Sequence, residues 1–166
     1  IKTQTMIRPV AFSDCEQIAS IYNYYIENTT VTFEEESISA YDIERRIRKI
    51  PPNLPWLVFV DENEILGYAY ATPWRTRSAY RFSVEISVYV KIDSHGNGIG
   101  TELYTDLMSR LNSIEIHTII GGITLPNDAS IKLHEKMGFK KIAEFEEVGF
   151  KFGKWLNVGY WQLTNA

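Results

Sequence analysis

The sequence is short of the residues that mark several protein classes. Its 166 residues hold one cysteine, Cys15, which excludes an internal disulfide and a cysteine-rich metal site and agrees with a reducing compartment. The only histidines are His95, His117 and His134, a supply that argues against a zinc enzyme, so no metal is expected. No apolar run approaches the ~20 residues that span a bilayer, and no membrane partner is expected. No signal-peptide pattern is present in a chain that begins at Ile1 rather than Met, and a cytoplasmic location is the expectation. Positive charge is also scarce: the formal net charge is −4, which makes nucleic acid an unpromising partner. No repeat, linker or low-complexity segment divides the chain, so residues 1–166 read as a single domain. What is present is apolar surface. With 45% hydrophobic and 13% aromatic residues, a chain of this size buries a core without covalent staples.

The most informative segment is Ser94-His95-Gly96-Asn97-Gly98-Ile99-Gly100-Thr101. It joins a strand-like run, Phe82 to Val90, to a helix-like run, Ile99 to Leu111. Glycine allows positive φ and close approach of a ligand to the backbone. A helix start presents unpaired N–H groups at the positive end of the helix dipole. Together these form a cradle for a phosphate or pyrophosphate; the plainer reading is a glycine-rich turn that caps a helix. A P-loop is excluded because Gly98-Ile99-Gly100-Thr101 has no lysine to reach the outer phosphates. A dinucleotide fingerprint fits poorly, because the spacing is G-x-G-x-G and Lys91 to His95 intervene after the strand.

Along the chain, Met6 to Val10 reads as a strand. Ser13-x-x-Glu16 has the form of a capping box, and Ile18, Ile21, Tyr22, Tyr25 and Ile26 follow at helical spacing. Ser39 is placed to cap a second helix with Ile43, Ile47 and Ile50 on one face, stopped by Pro51 and Pro52. Trp56–Val60 and Ile65–Tyr70 form a hairpin about Asp61–Glu64. Tyr80 to Val90 alternates, with Phe82, Val84, Ile86, Val88 and Val90 on one face and Ser83, Glu85, Ser87 and Tyr89 on the other. After the glycine loop comes a helix with Leu103, Leu107 and Leu111 in line. Thr118–Leu125 is a strand and Asn127–Met137 a helix ended by Gly138. Phe139–Val148 and Val158–Leu163 are the last strands. The order β-α-α-β-β-β-α-β-α-β-β predicts an α/β fold with a mixed sheet and helices on its faces. The basic run Arg45-Arg46-Ile47-Arg48-Lys49 is most simply the solvated face of the second helix, although basic residues also suit phosphates.

Read as His95-Gly96-Asn97-Gly98-Ile99-Gly100, the loop resembles the pyrophosphate loop of the GNAT N-acetyltransferases, Gln/Arg-x-x-Gly-x-Gly/Ala, with His95 in place of Gln or Arg. The element order is also that of the superfamily. Four further segments resemble its phosphinothricin and methionine sulfoximine N-acetyltransferases: Thr30-Val31-Thr32-Phe33; Pro73 to Tyr80; Leu125-Pro126-Asn127-Asp128-Ala129-Ser130; and Gly149-Phe150-Lys151 with Trp155 and Val158 to Leu163. The resemblance implies a mostly antiparallel GNAT sheet flanked by helices on both faces, acetyl-CoA as co-substrate, a small amino-acid substrate and a homodimer.

Acetyl transfer to an amine requires a held cofactor, loss of an ammonium proton, stabilisation of an oxyanion and departure of a thiolate. Glu85 lies mid-strand on the face of Ser83, Ser87 and Tyr89. There a partly buried carboxylate is a base for the amine, the role implied by the resemblance, or else a solvated glutamate. The resemblance assigns the acetyl carbonyl to main-chain N–H groups around Val88, Tyr89 and Val90. It assigns the pyrophosphate to His95, Gly96, Asn97, Gly98, Ile99 and Gly100. His134, in Leu133-His134-Glu135-Lys136, stands where many of these enzymes carry a tyrosine acid. Imidazole suits that task; a solvent-facing helix histidine is the alternative. Asn127 is an N-cap, and the resemblance adds a hydrogen bond to the pantetheine arm. Arg75 and Arg77, if extended, point the same way and would bind an anion, with Phe33 and Tyr80 as walls. The resemblance implies basic residues there, the first commonly lysine. Trp155, Tyr160 and Trp161 read as core or dimer interface. Other substrates within the fold are a protein N-terminus, a polyamine or a drug amine. Outside catalysis, an acyl-CoA-binding module is the competing reading.

Overall fold

The computed structural model describes residues 4–165. Strand β1 (Thr5–Pro9) leads into helix α1 (Cys15–Asn28), and α2 (Ala40–Lys49) follows. The predicted start of α1 is not the one adopted: Asp14, not Glu16, makes the local bonds. Its carboxylate accepts the Ala11 N–H at 2.7 Å and a forked pair of bonds from Arg8 at 2.7 and 2.9 Å. The second helix starts as expected, with the Ser39 hydroxyl accepting from Asp42 N and the Asp42 carboxylate accepting from Ser39 N.

Strands β2 (Trp56–Asp61) and β3 (Glu64–Pro73) form a hairpin whose turn residues, Glu62 and Asn63, both have positive φ, as a right-twisted two-residue hairpin requires. Then come β4 (Ser83–Val90), α3 (Ile99–Ser113), β5 (Thr118–Thr124), α4 (Asp128–Lys136), β6 (Lys140–Lys151) and β7 (Lys154–Thr164). The seven strands are ordered β1-β2-β3-β4-β5-β7-β6, antiparallel except for β4 against β5. β4 begins later than its alternation suggested, because Ser78–Tyr80 closes a 3-10 turn. β6 and β7 are longer than read. Register shifts between Lys141 and Ala143 and between Phe145 and Gly149 break the period-2 pattern of β6, and such shifts hide a strand from its sequence.

The alternation of β4 separates two cores. Val84 and Ile86 pack with Leu57, Ala69, Leu103, Leu107 and Ile119 on the α3 and α4 side. On the other face Val58, Val60 and Tyr68 pack with Ile18, Tyr22, Tyr25, Ile26 and Ile43 of α1 and α2, and Tyr89 joins them. Helices therefore cover both faces of a mixed sheet, and β4 lies between the two cores. Among the described residues no helix is long and apolar enough to cross a membrane.

Candidate active site

The site begins with a missing stretch of ladder. β4 and β5 pair only from Ser83↔Thr118 to Glu85↔Ile120. Beyond that rung β4 stays paired with β3 as far as Val90, and β5 with β7 as far as Thr124. The two strands part, and the β5-facing main-chain edge of Ile86–Val90 has no strand partner. Buried main-chain groups are nearly always bonded, so this edge is prepared for something that carries its own donors and acceptors. A recess of about 50 Å³ lies in the fork between Ile86–Tyr89 and Gly122–Thr124. It shares Val88, Tyr89 and Asn127 with a wider cleft of about 300 Å³ that runs to the glycine loop.

The loop is shaped for an anion. Gly96 and Gly98 have φ of +84° and +76°, and a Cβ at either would meet nothing within 4 Å. Backbone geometry, not space, requires glycine there. Gly100 differs. Its φ is ordinary, and an added Cβ would lie 3.5 Å from Leu133 and 3.8 Å from Val90, both walls of the cleft. The protein would tolerate that atom, but it would occupy the cleft where α3 begins. The first intrahelical bond is Glu102 N to Gly98 O, which leaves the N–H groups of Ile99, Gly100 and Thr101 to a ligand. A diphosphate at the loop and an amide-bearing arm along β4 fit these free groups.

His95 and Asn97 fold back onto the protein. Asn97 donates to Ser94 O at 3.1 Å. His95 Nε2 lies 2.6 Å from the Tyr25 hydroxyl and 3.0 Å from Val90 O, and Tyr25 itself donates to Val90 O. Asn127 caps α4, its Oδ1 accepting from Ser130 N at 3.1 Å, and it also lines both cavities. His134 is not solvent-facing. It is buried, edge-on to Tyr104 and Phe139, and burial lowers its pKa, countered by its bond to Ser130 O. Nδ1 donates to that carbonyl at 2.7 Å, so Nε2, 3.4 Å from the Tyr104 hydroxyl, carries the lone pair.

Glu85 stands on the last paired rung, at the apex of the fork. Burial raises its pKa, and the Arg75 guanidinium pulls it back. Arg75 lies 4.1 Å from the Trp74 ring centroid. Trp74 meets Tyr160 edge-on at 5.8 Å, and the Tyr160 hydroxyl is raised first by burial and then by Glu85. Tyr160, read from sequence as core or interface, therefore belongs beside Glu85, while Trp161 is core and Trp155 is exposed. Residues 74–77 are not a strand, so the strand geometry on which a common direction for the two arginines was expected is absent; Arg77 stands at the start of the 3-10 turn and is exposed. Tyr80 lies in that turn and is exposed.

Phe33 is held from the far end of the chain. Its ring covers Gly149, where an added Cβ would come within 2.2 Å of Cζ. Beside it the buried Lys151 donates from Nζ to Thr32 O at 2.8 Å. Tyr22 bonds the Thr32 hydroxyl at 2.8 Å and donates to Glu34, and Glu34 accepts a forked pair of bonds from Arg46 at 2.8 and 2.5 Å. The basic run is thus largely neutralised on α2: Arg45 pairs with Asp42 and Arg48 with Glu44. Sequence reasoning missed Tyr25, Tyr104, Tyr160 and Lys151. Tyr25 sits within the apolar period of α1 and reads as core, and only its hydroxyl hints otherwise. Among the described residues no three His, Cys, Asp or Glu side chains converge as a metal site would require.

A family model described as an acetyltransferase (GNAT) domain matches residues 7–158. The chain is 36% identical over 156 residues to a phosphinothricin N-acetyltransferase of Streptomyces viridochromogenes, covering 94% of this chain and 85% of that one. It is 35% identical over 163 residues to an L-methionine sulfoximine/L-methionine sulfone acetyltransferase of Pseudomonas aeruginosa, covering 95% and 93%. Among solved structures, a phosphinothricin acetyltransferase from Sinorhizobium meliloti in complex with acetyl-CoA superposes with a TM-score of 0.92 at 33% identity. That match covers 96% of this chain and 88% of the other.

Proposed function

The chain belongs to the GNAT acetyltransferase family and is an acetyl-CoA-dependent N-acetyltransferase, and from that premise we propose that it acetylates the α-amine of a small amino acid or analogue of the phosphinothricin, methionine sulfoximine or methionine sulfone type. The observation that carries this is the position of Glu85: a carboxyl held at the apex of the β4–β5 fork, raised by burial, with Arg75 beside it. When bound, acetyl-CoA supplies an activated acyl thioester; the protein does the rest. The loop from His95 to Gly100 and the start of α3 hold the diphosphate. The open edge of Val88, Tyr89 and Val90, with Asn127, holds the pantetheine arm and the acetyl carbonyl. Arg75, Trp74 and Tyr160 seat the acidic groups of the substrate, with Phe33 as a wall; Arg77 and Tyr80 border this region. Glu85 then takes the proton from the amine, which attacks as the neutral species. The departing sulfur takes the proton of the Tyr104 hydroxyl, which lines the recess, and the second proton of the nitrogen, released as the amide forms, restores it, with His134 Nε2 holding that hydroxyl in place. The working form is a cytoplasmic homodimer that uses neither a metal nor a nucleic-acid partner. The exposed Phe145, Val148, Phe150, Phe152 and Trp155 of β6, β7 and the turn between them supply the dimer surface.

A thiol-release screen with acetyl-CoA tests the substrate class. Methionine sulfone, methionine sulfoximine and phosphinothricin should exceed polyamines and peptide N-termini in kcat/KM. The reverse order would overturn it, and acetyl-CoA binding without thiol release for any amine would favour a binding module. A monomer mass by light scattering at micromolar concentration would overturn the dimer.

A further inference from the structure

We propose that the cavity between α2 and the β2–β3 hairpin takes the side chain of the acceptor, and that its walls select α-amino acids with a long apolar side chain over those whose side chain ends in a cation. The inference rests on the reading of Glu85 as the base for the acceptor's α-amine. The cavity has a volume of about 280 Å³. Its floor is aromatic. Trp56 stacks nearly flat on Tyr68 and on Tyr70, with ring centroids 4.8 and 4.9 Å apart and planes within 9° and 8° of parallel. Ile43 and Ile50 face these rings from α2, and Tyr22 comes from α1. Packed layers leave few voids larger than a water molecule, so a space of this size between a helix and a sheet calls for an occupant.

Strand register ties the cavity to the amine. Tyr68, Tyr70 and Thr72 alternate onto one face of β3. Across the ladder they stand opposite Tyr89, Ser87 and Glu85 of β4. Directly opposed residues share a face, with Cβ atoms about 4.5–5.5 Å apart. Thr72, which lines the cavity, is therefore the cross-strand neighbour of Glu85. The Tyr70 hydroxyl, raised chiefly by burial, also feels the charges of Arg46, Glu34 and Glu85, so the floor lies within electrostatic reach of the base. An α-amine held at Glu85 is one strand from the cavity. Arg75 lies past the end of β3 for the α-carboxylate, and Thr72 and Tyr70 lie back along it for the side chain.

The helix side sets the charge. Arg46 lines the cavity but is held by the Glu34 carboxylate. Lys49 lines it too, and no ion pair to Lys49 is found among the described residues. The Tyr22 hydroxyl is turned to Thr32 and Glu34. A cationic tip would meet the free ammonium and lose its own hydration without a carboxylate to replace it. A methyl or thioether tip would lie on the rings.

The test is a kinetic series at saturating acetyl-CoA with alanine, 2-aminobutyrate, norvaline, norleucine and lysine, scored as the α-acetyl product. KM should fall about threefold for each added methylene, as its removal from water implies, with kcat steady, the pattern of uniform binding. Lysine has norleucine's chain with an ammonium at its end, and its kcat/KM should be about tenfold or more lower. Ile50→Trp fills the cavity from the end of α2. It should raise the KM of norleucine to near that of alanine, leaving alanine kinetics and coenzyme Kd unchanged. Lys49→Glu, at an exposed position, should narrow the gap between lysine and norleucine, most at low salt. A flat wild-type series overturns the inference, as does a norleucine preference that Ile50→Trp leaves intact; the cavity would then be a packing void or the site of another ligand. Where the tryptophan is not tolerated, a lysine-to-norleucine ratio unmoved by Lys49→Glu overturns the charge selection. Acetylation of no amino acid at all, methionine sulfone included, would overturn the acceptor reading of Glu85 and the inference with it.

Discussion

The two halves of the site are built in different ways. On the proposed reading the coenzyme half is mostly local: β4, the loop from Lys91 to Gly98 and the first turn of α3 are consecutive in the chain, with Asn127 at the start of α4 the one addition, and the groups offered to the ligand are chiefly main-chain N–H groups presented by glycine geometry. The acceptor half is assembled from afar. Glu85 comes from β4, Trp74 and Arg75 from the segment after β3, Tyr160 from β7, and Phe33 from the loop after α1, seated on Gly149. Local construction leaves a readable motif, whereas assembly from several segments leaves isolated residues whose meeting only the fold reveals.

The comparison can be broken at several points. The largest effect is expected at Glu85. Glu85→Gln should lower kcat by about 10²-fold, in the range for general acid–base catalysis, with coenzyme Kd unchanged by calorimetry. Wild-type kcat in this variant across the pH range would sink the assignment. The wild-type rate should rise with pH, through a limb above the ordinary carboxylate range, because burial raises Glu85. The same shift has a stability sign. A carboxyl raised on folding favours the folded state while protonated and opposes it as pH passes the folded value. The Gln variant should therefore melt higher than wild type at pH 8, with the difference closing toward pH 4; scanning calorimetry decides.

The next effect lies in the coenzyme half. Gly98→Val places a β-branched residue at φ +76° and should raise Kd for CoA about tenfold or more, ~1.4 kcal/mol. The KM of the amino acid should be little changed once coenzyme saturates. Coupled loss in both would show the halves to be less separate than their construction suggests.

Smaller effects follow in the acceptor half. Arg75→Ala should raise the KM of an acidic amino acid several-fold with kcat within about twofold, the pattern of uniform binding. Arg77→Ala should do less, because the charge that acts on Glu85 is that of Arg75; equal effects would restore the paired-arginine expectation. Gly149→Ala should displace Phe33 and raise the amino-acid KM modestly, with coenzyme affinity intact. It should also cost about 1–3 kcal/mol of stability, typical of overpacking, measured by urea titration.

Much of the fold was legible because period and punctuation agreed with it: the alternation of β4, the Ser39 cap, Pro51-Pro52 after α2 and Gly138 after α4 all sit where read. The exceptions have physical causes. The Ser13 box lost to Asp14, which had Arg8 of the neighbouring strand as a partner no local rule supplies. β6 was cut short because its register shifts disrupt the alternation. At the site, the glycine turn into α3 and the Asn127 cap of α4 were legible from residue type and position, whereas Glu85 stood out only through the family resemblance, since a carboxylate on a strand face reads equally well as solvated. Tyr25 and Tyr160 were not, since a hydroxyl within an apolar period looks like core until the partner across the fold is known. The strand premise for Arg75 and Arg77 failed because two extended runs flank an irregular one.

The bond from Lys151 to Thr32 spans 119 positions of the chain. A chain emerging from the ribosome can form α1, the β2–β3 hairpin and the coenzyme loop in order of appearance, since domains begin to organise as they are made. The acceptor loop must wait, because the ammonium that fixes Thr32 and the glycine that seats Phe33 are among the last residues to arrive. Synthesis therefore delivers a coenzyme cradle before it delivers anything for the acetyl group to be passed to.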